Sequence, residues 1–180
     1  MGGYGSTRWD DHTRATTVEE SLALSLNPLR TGLNAVANGT AARWGGTLQW
    51  SARGEVTAAL SYFIERRGSG PIVRPVYTRK RRDGERIAHD DRVRVVATQS
   101  HYGGRRWWWL CPLVVNGIPC RRRVGKLYLP PDGQYFGCRH CHRLTYASSQ
   151  ESRKLTGIAG HLGVDEETVR LLLRRWAHDR

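Results

Sequence analysis

Hydrophobic residues alternate with polar ones through the middle of the chain, with the period of two that is typical of half-buried β-strands. The alternating segments are 47–50, 55–64, 71–80, 92–98 and 105–110. Tight turns are predicted at Ala52-Arg53-Gly54 and Arg82-Asp83-Gly84, because glycine readily adopts the left-handed backbone that such turns require. The pattern therefore predicts about five short strands in a small antiparallel sheet, open or barrel-like.

The chain before this sheet lacks the period of two. Thr17 and Glu20 have the spacing of a capping box, which predicts the start of a helix. Leucines at near-helical spacing follow, and Pro28 is expected to end that helix early because proline lacks an amide donor. The stretch 25–29 could equally be extended. Residues 1–45 are expected to form a short lead-in segment that packs on the sheet.

The chain after residue 146 becomes helical in composition, and residues 155–176 resemble a helix-turn-helix. Gly163 is expected at the turn, where a left-handed backbone is needed. Asp165 is expected to cap the second helix, and Ala159 supplies a small residue where the two helices cross. The residues expected to pack the helices together are Ile158, Leu162, Val164, Val169 and Leu172.

A simple packing hairpin is the alternative to a DNA-binding helix-turn-helix. Acidic residues occupy the first turn of the second helix, where base contacts are normally made and where carboxylates repel phosphate. A working motif also needs a third helix, for which residues 144–153 are the nearby candidate. In the alternative, Leu172, Leu173 and Trp176 dock on the region that contains the cysteines.

All four cysteines lie between the alternating segments and the C-terminal helices. Cys138 and Cys141 have the C-x2-C spacing of a zinc knuckle, whereas eight residues separate Cys111 from Cys120. Asn116-Gly117 inside that gap is a turn dipeptide, which could return Cys120 beside Cys111. A single structural zinc ion held by all four thiolates is the first hypothesis.

The segments between the cysteines have the order expected for a zinc β-ribbon. Residues 105–110 lead into the first knuckle, and residues 123–129 predict a second strand. Pro130-Pro131-Asp132-Gly133 predicts a turn, and Tyr135-Phe136-Gly137 predicts the strand that leads into the second knuckle. The order is therefore strand, knuckle, strand, turn, strand and knuckle.

Three alternatives to a site of four cysteines stay open. His140 or His142 could replace one of the thiolates. A redox-active pair at Cys138 and Cys141 is the second alternative, although such a pair normally lies at the N-terminus of a helix. Plain buried thiols without a metal are the third.

The segment GGRRWWWLCPLVVNGIPCRRRVGKLYLPPDGQYFGCRHCHRLTYASSQES, residues 103–152, resembles a family of small, largely uncharacterised bacterial proteins. The shared core is Gly-Gly-x-Arg-Trp-Trp, Cys-Pro, Lys-Leu-Tyr-Leu-Pro-Pro, Tyr-Phe-Gly-Cys-Arg-x-Cys, Leu-Thr-Tyr and Gln-Glu-Ser. The opening GGYGSTRW is also similar to the N-terminus of that family. The resemblance implies a zinc ribbon, and it implies no particular activity. Its implied ligands are Cys111, Cys120, Cys138 and Cys141.

These patterns together predict an α+β chain with a small antiparallel β domain, a zinc β-ribbon and C-terminal helices. The predicted parts are the lead-in segment (1–45), the β domain (46–102), the ribbon (103–146) and a helical hairpin or helix-turn-helix (147–180).

Charge points to a polyanionic partner. The chain has 29 Lys and Arg against 16 Asp and Glu, a net charge of +13. Such an excess of positive charge usually indicates a protein that binds nucleic acid. Aromatic residues accompany the basic ones, but only alternate residues of Trp107-Trp108-Trp109 can face the same way, and most aromatics are expected in the core. The favoured partner is DNA, although RNA is open. The residues expected to contact it are Arg121, Arg122, Arg123, Lys126, Arg139, Arg143, Arg170 and Arg174.

Two other function classes remain as alternatives to non-catalytic nucleic-acid binding. The chain could be a protein-interaction module in a larger assembly, with purely structural zinc. A hydrolase is less favoured. The only acidic and histidine residues that could form a catalytic set are the loose cluster of His89, Asp90, Asp91 and His101, and His89-Asp90-Asp91 is more typical of a turn. No small-molecule substrate is expected.

The sequence predicts a cytoplasmic protein without a membrane partner. No apolar run approaches the roughly 20 residues of a membrane span, and the N-terminal residues lack the apolar core of a signal peptide. Thiols stay reduced in the cytoplasm, which favours metal binding over disulfides.

Overall fold

The computed structural model describes residues 15–178 apart from Ser69, Arg82 and Tyr102, with side chains as far as residue 175. The strands are β1 (Leu22–Ser25), β2 (Arg43–Ala52), β3 (Glu55–Arg67), β4 (Gly70–Lys80), β5 (Arg86–Asp90), β6 (Val93–Gln99), β7 (Arg105–Leu110), β8 (Val114–Val115), β9 (Ile118–Pro119), β10 (Arg123–Val124) and β11 (Lys126–Leu129). The α-helices are α1 (Arg30–Asn38), α2 (Ala147–Leu162) and α3 (Glu166–His178). The described chain is α+β with antiparallel sheets, as the sequence predicts.

The five alternating segments all lie in one antiparallel sheet of seven strands. The strand order is β10-β7-β6-β4-β3-β2, and β5 pairs with the part of β4 that lies beyond the end of β6. At the tip of the β2–β3 hairpin, Arg53 and Gly54 have φ angles of 53° and 84°. Positive φ at both positions is typical of the two-residue turn whose twist matches that of paired strands. The hairpin predicted at these residues is therefore confirmed.

Backbone pairing joins parts of the chain that the sequence predicted as separate. β6 and β7 pair with Val95 opposite Trp109, so backbone hydrogen bonds join the predicted β domain to the cysteine region. β1, in the predicted lead-in segment, pairs with β11, and Leu24 lies opposite Leu127. One hydrophobic core contains buried residues from all three parts, including Ile64 of β3. These three parts therefore share backbone pairing as well as side-chain packing.

α1 packs on the sheet, and the sequence did not predict this helix. Leu29, Leu33 and Val36 are buried with at most 1% of their surface exposed, at the spacing of one helix face. Pro28 lies in a single 3-10 turn that leads into α1, so this proline begins a helical segment and does not end one. Gly39, with φ of 78°, ends α1.

Thr17 and Glu20 form the predicted capping-box bonds, but no helix follows them. The Thr17 amide donates to Glu20 Oε2 at 2.9 Å, and the Glu20 amide donates to Thr17 Oγ1 at 3.3 Å. The helix predicted beyond them is wrong, because residues 22–25 are strand β1. Pairing with β11 buries Leu24 and satisfies backbone groups, and such tertiary contacts override a weak local propensity.

His89 and its neighbours connect the sheet to the cysteine region. The predicted turn at residues 89–91 is wrong, because His89 and Asp90 belong to β5. The buried His89 ring stacks on Tyr77, with 4.9 Å between centroids, and meets Tyr135 edge-on at 5.0 Å. The Tyr77 hydroxyl donates to Asp91 Oδ2 at 2.8 Å. Burial, followed by this bond, raises the pKa of Tyr77.

α2 and α3 form a helical hairpin with the predicted turn and cap. Gly163 ends α2 with a left-handed φ of 66°. Asp165 caps α3, because its Oδ1 accepts a hydrogen bond of 2.8 Å from the Thr168 amide. Ala159 and Val169 are buried where the two helices meet. The small residue at the crossing is therefore confirmed.

Other expectations for this hairpin are wrong. Leu162, Val164 and Leu172, expected between the helices, are 56%, 38% and 50% exposed. Leu173 is 52% exposed and does not dock on the cysteine region. The candidate for a third helix, residues 144–153, does not form a separate helix, because residues 147–153 are the first turns of α2 itself. None of the helices in the described ranges is long and apolar enough to cross a membrane.

Three predicted features involve residues outside the described part of the chain: the opening GGYGSTRW, the side chain of Trp176, and Arg82. The described neighbours of Arg82 nevertheless show a turn between β4 and β5. The Gly84 amide donates to the carbonyl of Arg81 at 3.0 Å, and Gly84 has a φ of 91°. The predicted turn between β4 and β5 is therefore confirmed.

Candidate metal centre and adjoining basic surface

The four cysteine sulfurs converge, although 17 residues separate the two knuckles in the sequence. The Sγ atoms of Cys111, Cys120, Cys138 and Cys141 all lie within 4.8 Å of one another. Cys111–Cys141 and Cys120–Cys138 are both 3.8 Å apart, so each close pair joins the two knuckles. All four thiols are free, since a disulfide needs sulfurs about 2.05 Å apart. This cluster could hold a metal ion.

The first knuckle is closed by a small hairpin. β7 leads into Cys111, and the β8–β9 hairpin returns the chain to Cys120. Asn116 and Gly117 have φ angles of 51° and 78° at its tip, as expected for a turn dipeptide. The Cys120 amide donates to the carbonyl oxygen of Leu113 at 2.9 Å. The gap of eight residues is therefore an inserted hairpin that brings its two cysteines together.

The second knuckle lies on a turn. Tyr128 and Gly137 form an antiparallel bridge that leads into Cys138, with amide-to-carbonyl distances of 2.7 and 3.0 Å. Residues 139–143 then form the turn that contains Cys141, and α2 begins later in the chain. A redox-active pair is normally activated by the N-terminus of a helix, and the described turn does not supply one. The geometry therefore favours metal binding over redox chemistry.

Backbone amides donate to two of the sulfurs. The Cys138 amide donates to Cys111 Sγ at 3.2 Å, and the Cys141 amide donates to Cys138 Sγ at 3.4 Å. Burial nevertheless raises the pKa of Cys111 to about 11. Burial also acts on Cys120, but the Arg122 amide and the neighbouring thiols outweigh it and lower the pKa of Cys120. A bound cation would favour all four thiolates by replacing their protons.

The two histidines of the second knuckle lie outside the cluster of ligand atoms. His140 is exposed, and His142 is half-buried. The Nε2 atom of His142 has no hydrogen-bond partner in the described structure, and burial lowers the pKa of His142. The His142 ring packs beside Gly137. The four cysteines therefore form the candidate ligand set without a histidine.

Gly137 marks the closest packing between the two knuckles. An added Cβ would overlap Leu113 of the first knuckle and lie 2.8 Å from His142 Nε2. We expect Gly137→Ala to lower the free energy of unfolding by about 1–3 kcal/mol, because the knuckles must separate. Urea denaturation of the metal-loaded protein measures the change. Gly125→Ala, whose Cβ meets nothing within 4 Å, is the control, and an equal loss there contradicts the packing role.

The residues predicted to contact nucleic acid fall into three groups. Arg139 and Arg143 lie on the turn of the second knuckle, where Arg143 is exposed and the Arg139 guanidinium lies 4.9 Å from the Tyr146 ring centroid. Arg170 and Arg174 are exposed on α3. The remaining group is exposed on and beside β10 and comprises Arg121, Arg122, Arg123 and Lys126. The structure therefore places two groups beside the cysteines and one on the helical hairpin.

Arg79 supports the turn between the knuckles, and the sequence did not single it out. Its guanidinium donates to the carbonyl oxygens of Gly133, Pro130 and Pro131, at 3.3, 3.1 and 2.6 Å. Arg79 belongs to β4, so only the packing of the sheet on the cysteine region brings it to this turn. The alternating pattern of β4 carries no signal of that contact.

The candidate functional site consists of the four-cysteine cluster and the exposed basic residues beside it. The resemblance of residues 103–152 to a bacterial family stays a prediction from those residues. Comparison of the chain with protein-family models, with curated proteins and with solved structures finds no match.

Proposed function

We propose that the chain is a non-catalytic zinc-binding protein that contacts nucleic acid, with DNA as the favoured partner. The metal holds the fold of the cysteine region, and the basic surface beside it supplies the contacts. The observation that carries both statements is the convergence of four thiols directly before the exposed run of Arg121, Arg122 and Arg123.

Zinc is the metal that best suits the cluster. A tetrahedral centre with zinc–sulfur bonds of about 2.3 Å has sulfur–sulfur edges of about 3.8 Å. Two pairs of cysteine sulfurs are 3.8 Å apart. Thiolates favour zinc over magnesium or calcium, which prefer oxygen ligands. Four thiolates also fill the tetrahedron and leave no position for substrate or activated water, so the role of this zinc is structural.

The arginines that follow Cys120 suit contacts to phosphate. Arg121, Arg122 and Arg123 are exposed, and none of them pairs with a carboxylate in the described part of the chain. Arg121 also has a φ of 48°, a backbone conformation that costs a non-glycine residue roughly 1–2 kcal/mol. Arg121 adopts this conformation directly after Cys120.

Neutralising these arginines tests the nucleic-acid contact. In the variant Arg121→Gln/Arg122→Gln/Arg123→Gln, we expect affinity for a labelled oligonucleotide to fall roughly tenfold or more at moderate salt. The slope of log affinity against log salt should decrease in magnitude by about 2–3, since three phosphate contacts are lost. Fluorescence anisotropy at several salt concentrations measures both quantities, and titrations with duplex DNA, single-stranded DNA and RNA identify the preferred partner.

A matched variant removes equal charge elsewhere. Arg53→Gln/Arg81→Gln/Arg86→Gln neutralises three exposed arginines at the β2–β3 and β4–β5 turns. We expect this variant to keep nearly the parent salt slope. Absence of binding by the parent protein at low salt overturns the nucleic-acid function. Equal losses in the two variants would indicate a diffuse charge effect and not a surface beside the cysteines.

Docking of a protein partner is the second candidate function. Leu171, Leu172 and Leu173 of α3 are 61%, 50% and 52% exposed. Consecutive exposed leucines are unusual on a surface that faces only water, and they favour contact with another protein. Binding to a protein partner that persists after glutamine replaces the three arginines would favour this function over nucleic-acid binding.

A further inference from the structure

A basic groove lies beside the last turn of α1 and is lined by residues of β3, β4, β6 and β7, away from the cysteine knuckles in the sequence. Its volume is about 390 Å³, and none of the described residues that line it is acidic. The charged residues among these are all arginines, so the groove favours an anion. The residues that define this arginine groove are Arg66, Arg67, Arg94 and Arg105.

A second depression continues the arginine groove toward the cysteine region. It has a volume of about 310 Å³, shares Arg105 and Trp107 with the groove, and adds Arg30 and Arg106. Gly125, which separates β10 from β11, also lines it. A basic path therefore extends from the end of β3 across β7 to the arginines beside the cysteine cluster.

Two of the groove arginines have a structural explanation, and two do not. Arg105 donates to Asn38 Oδ1 at 2.7 Å, and Arg66 donates to a backbone carbonyl of the same last turn of α1 at 3.5 Å. Cations are favoured there by the partial negative charge of a helix C-terminus. The side chains of Arg67 and Arg94 make no hydrogen bond or ion pair within the described part of the chain. Both side chains are exposed, so their charges are available to an external anion.

We propose that the arginine groove binds the phosphodiester backbone of a nucleic-acid strand, as a second contact surface continuous with the one beside the cysteines. This inference rests on the proposed function and extends it to a different part of the fold. β7 begins with Arg105 at the groove and ends with Leu110, which pairs with Arg123. Six strand residues span about 17 Å. The phosphates of one B-DNA strand rise about 3.4 Å per step along the helix axis, so this length corresponds to an axial rise of about five steps.

The variant Arg67→Gln/Arg94→Gln tests the groove without disturbing α1. We expect affinity for an oligonucleotide that spans the whole path to fall roughly fivefold or more, because two phosphate contacts are lost. The salt slope should decrease in magnitude by about 1.4–1.8. The midpoint of urea unfolding should stay at the parent value, since both side chains are exposed and neither makes a hydrogen bond or ion pair within the described part of the chain. Anisotropy titrations with duplex and single-stranded probes measure the affinities.

The control variant Arg81→Gln/Arg86→Gln removes equal charge at the opposite end of β4, where both arginines are exposed. Parent-like binding is expected for this control. If the groove variant also binds like the parent while the Arg121–Arg123 variant loses affinity, the groove inference fails and the proposed function stands. If only the groove variant loses affinity, the result supports binding at the groove and contradicts binding at the surface beside the cysteines. If the parent protein binds no oligonucleotide at low salt, both fail.

Discussion

Replacement of Cys138 by serine is expected to release the metal and unfold the cysteine region. Cys138 is fully buried, and its sulfur accepts a hydrogen bond from the Cys141 amide. The Sγ atoms of Cys138 and Cys120 are 3.8 Å apart. Loss of a residue that merely supports a ligand lowers metal affinity about 10–100-fold, and loss of a ligand should exceed this. We therefore expect zinc affinity to fall by more than roughly a hundredfold, measured by competition with a chromogenic chelator.

Removal of the metal from the parent protein should have the same structural effect. Hydrogen exchange is expected to show lost protection in residues 111–143 and retained protection in β3 and β4. Those two strands pair with each other, and their facing residues Ile64 and Val73 are buried. Neither strand contains a cysteine, so their pairing does not depend directly on the metal. Native mass spectrometry identifies the metal and separates one zinc ion from an iron–sulfur cluster. His140→Gln is the control, because His140 is exposed and outside the cluster. Equal zinc loss in this control would contradict the ligand set of four cysteines.

Replacement of Trp109 by alanine is expected to lower the free energy of unfolding by about 3–5 kcal/mol. Trp109 is 0% exposed and lies in β7, between Val95 of β6 and Val124 of β10. Its Nε1–H donates to the carbonyl of Leu24 at 3.1 Å, so the change leaves a cavity and also removes this hydrogen bond. Urea denaturation of the metal-loaded protein measures the loss.

Trp108 provides a matched control in the adjacent position of the same strand. It is half-buried on the other face of β7, where its Nε1–H donates to Thr98 Oγ1 at 2.9 Å and the Arg106 guanidinium lies 4.3 Å from its ring centroid. Trp108→Ala should cost about 1–2 kcal/mol, because less apolar surface leaves the core and solvent can fill the space. A loss as large as that of Trp109→Ala would show that the two faces of β7 do not differ as described.

The alternation of side chains was sufficient to predict the central sheet. Trp107 and Trp109 are buried while Trp108 is only half-buried, as a period of two requires. β5 was missed because its five residues include His89 and Asp90, which resemble a turn in sequence. Pairing with β4 makes this segment a strand, and strand propensity depends strongly on such neighbours.

The N-terminal segment shows where local signals mislead. Thr17 and Glu20 form their capping bonds, yet the chain continues as β1 because β11 offers an unpaired edge and a buried place for Leu24. α1 gave little sequence signal, since Gly32 and two asparagines lower its helix propensity. Burial of its apolar face against the sheet stabilises the helix instead.

The sequence by itself determined the candidate metal ligands and the net charge. Only four cysteines are present, two of them at knuckle spacing, and an excess of 13 positive charges is a property of composition. The tertiary structure alone decided which arginines share a surface. Arg67, Arg94 and Arg105 are far apart in sequence, and the strand order β3-β4-β6-β7 brings them to one groove. The physical reason is that strand pairing joins residues by long-range backbone hydrogen bonds, which no local pattern of side chains encodes.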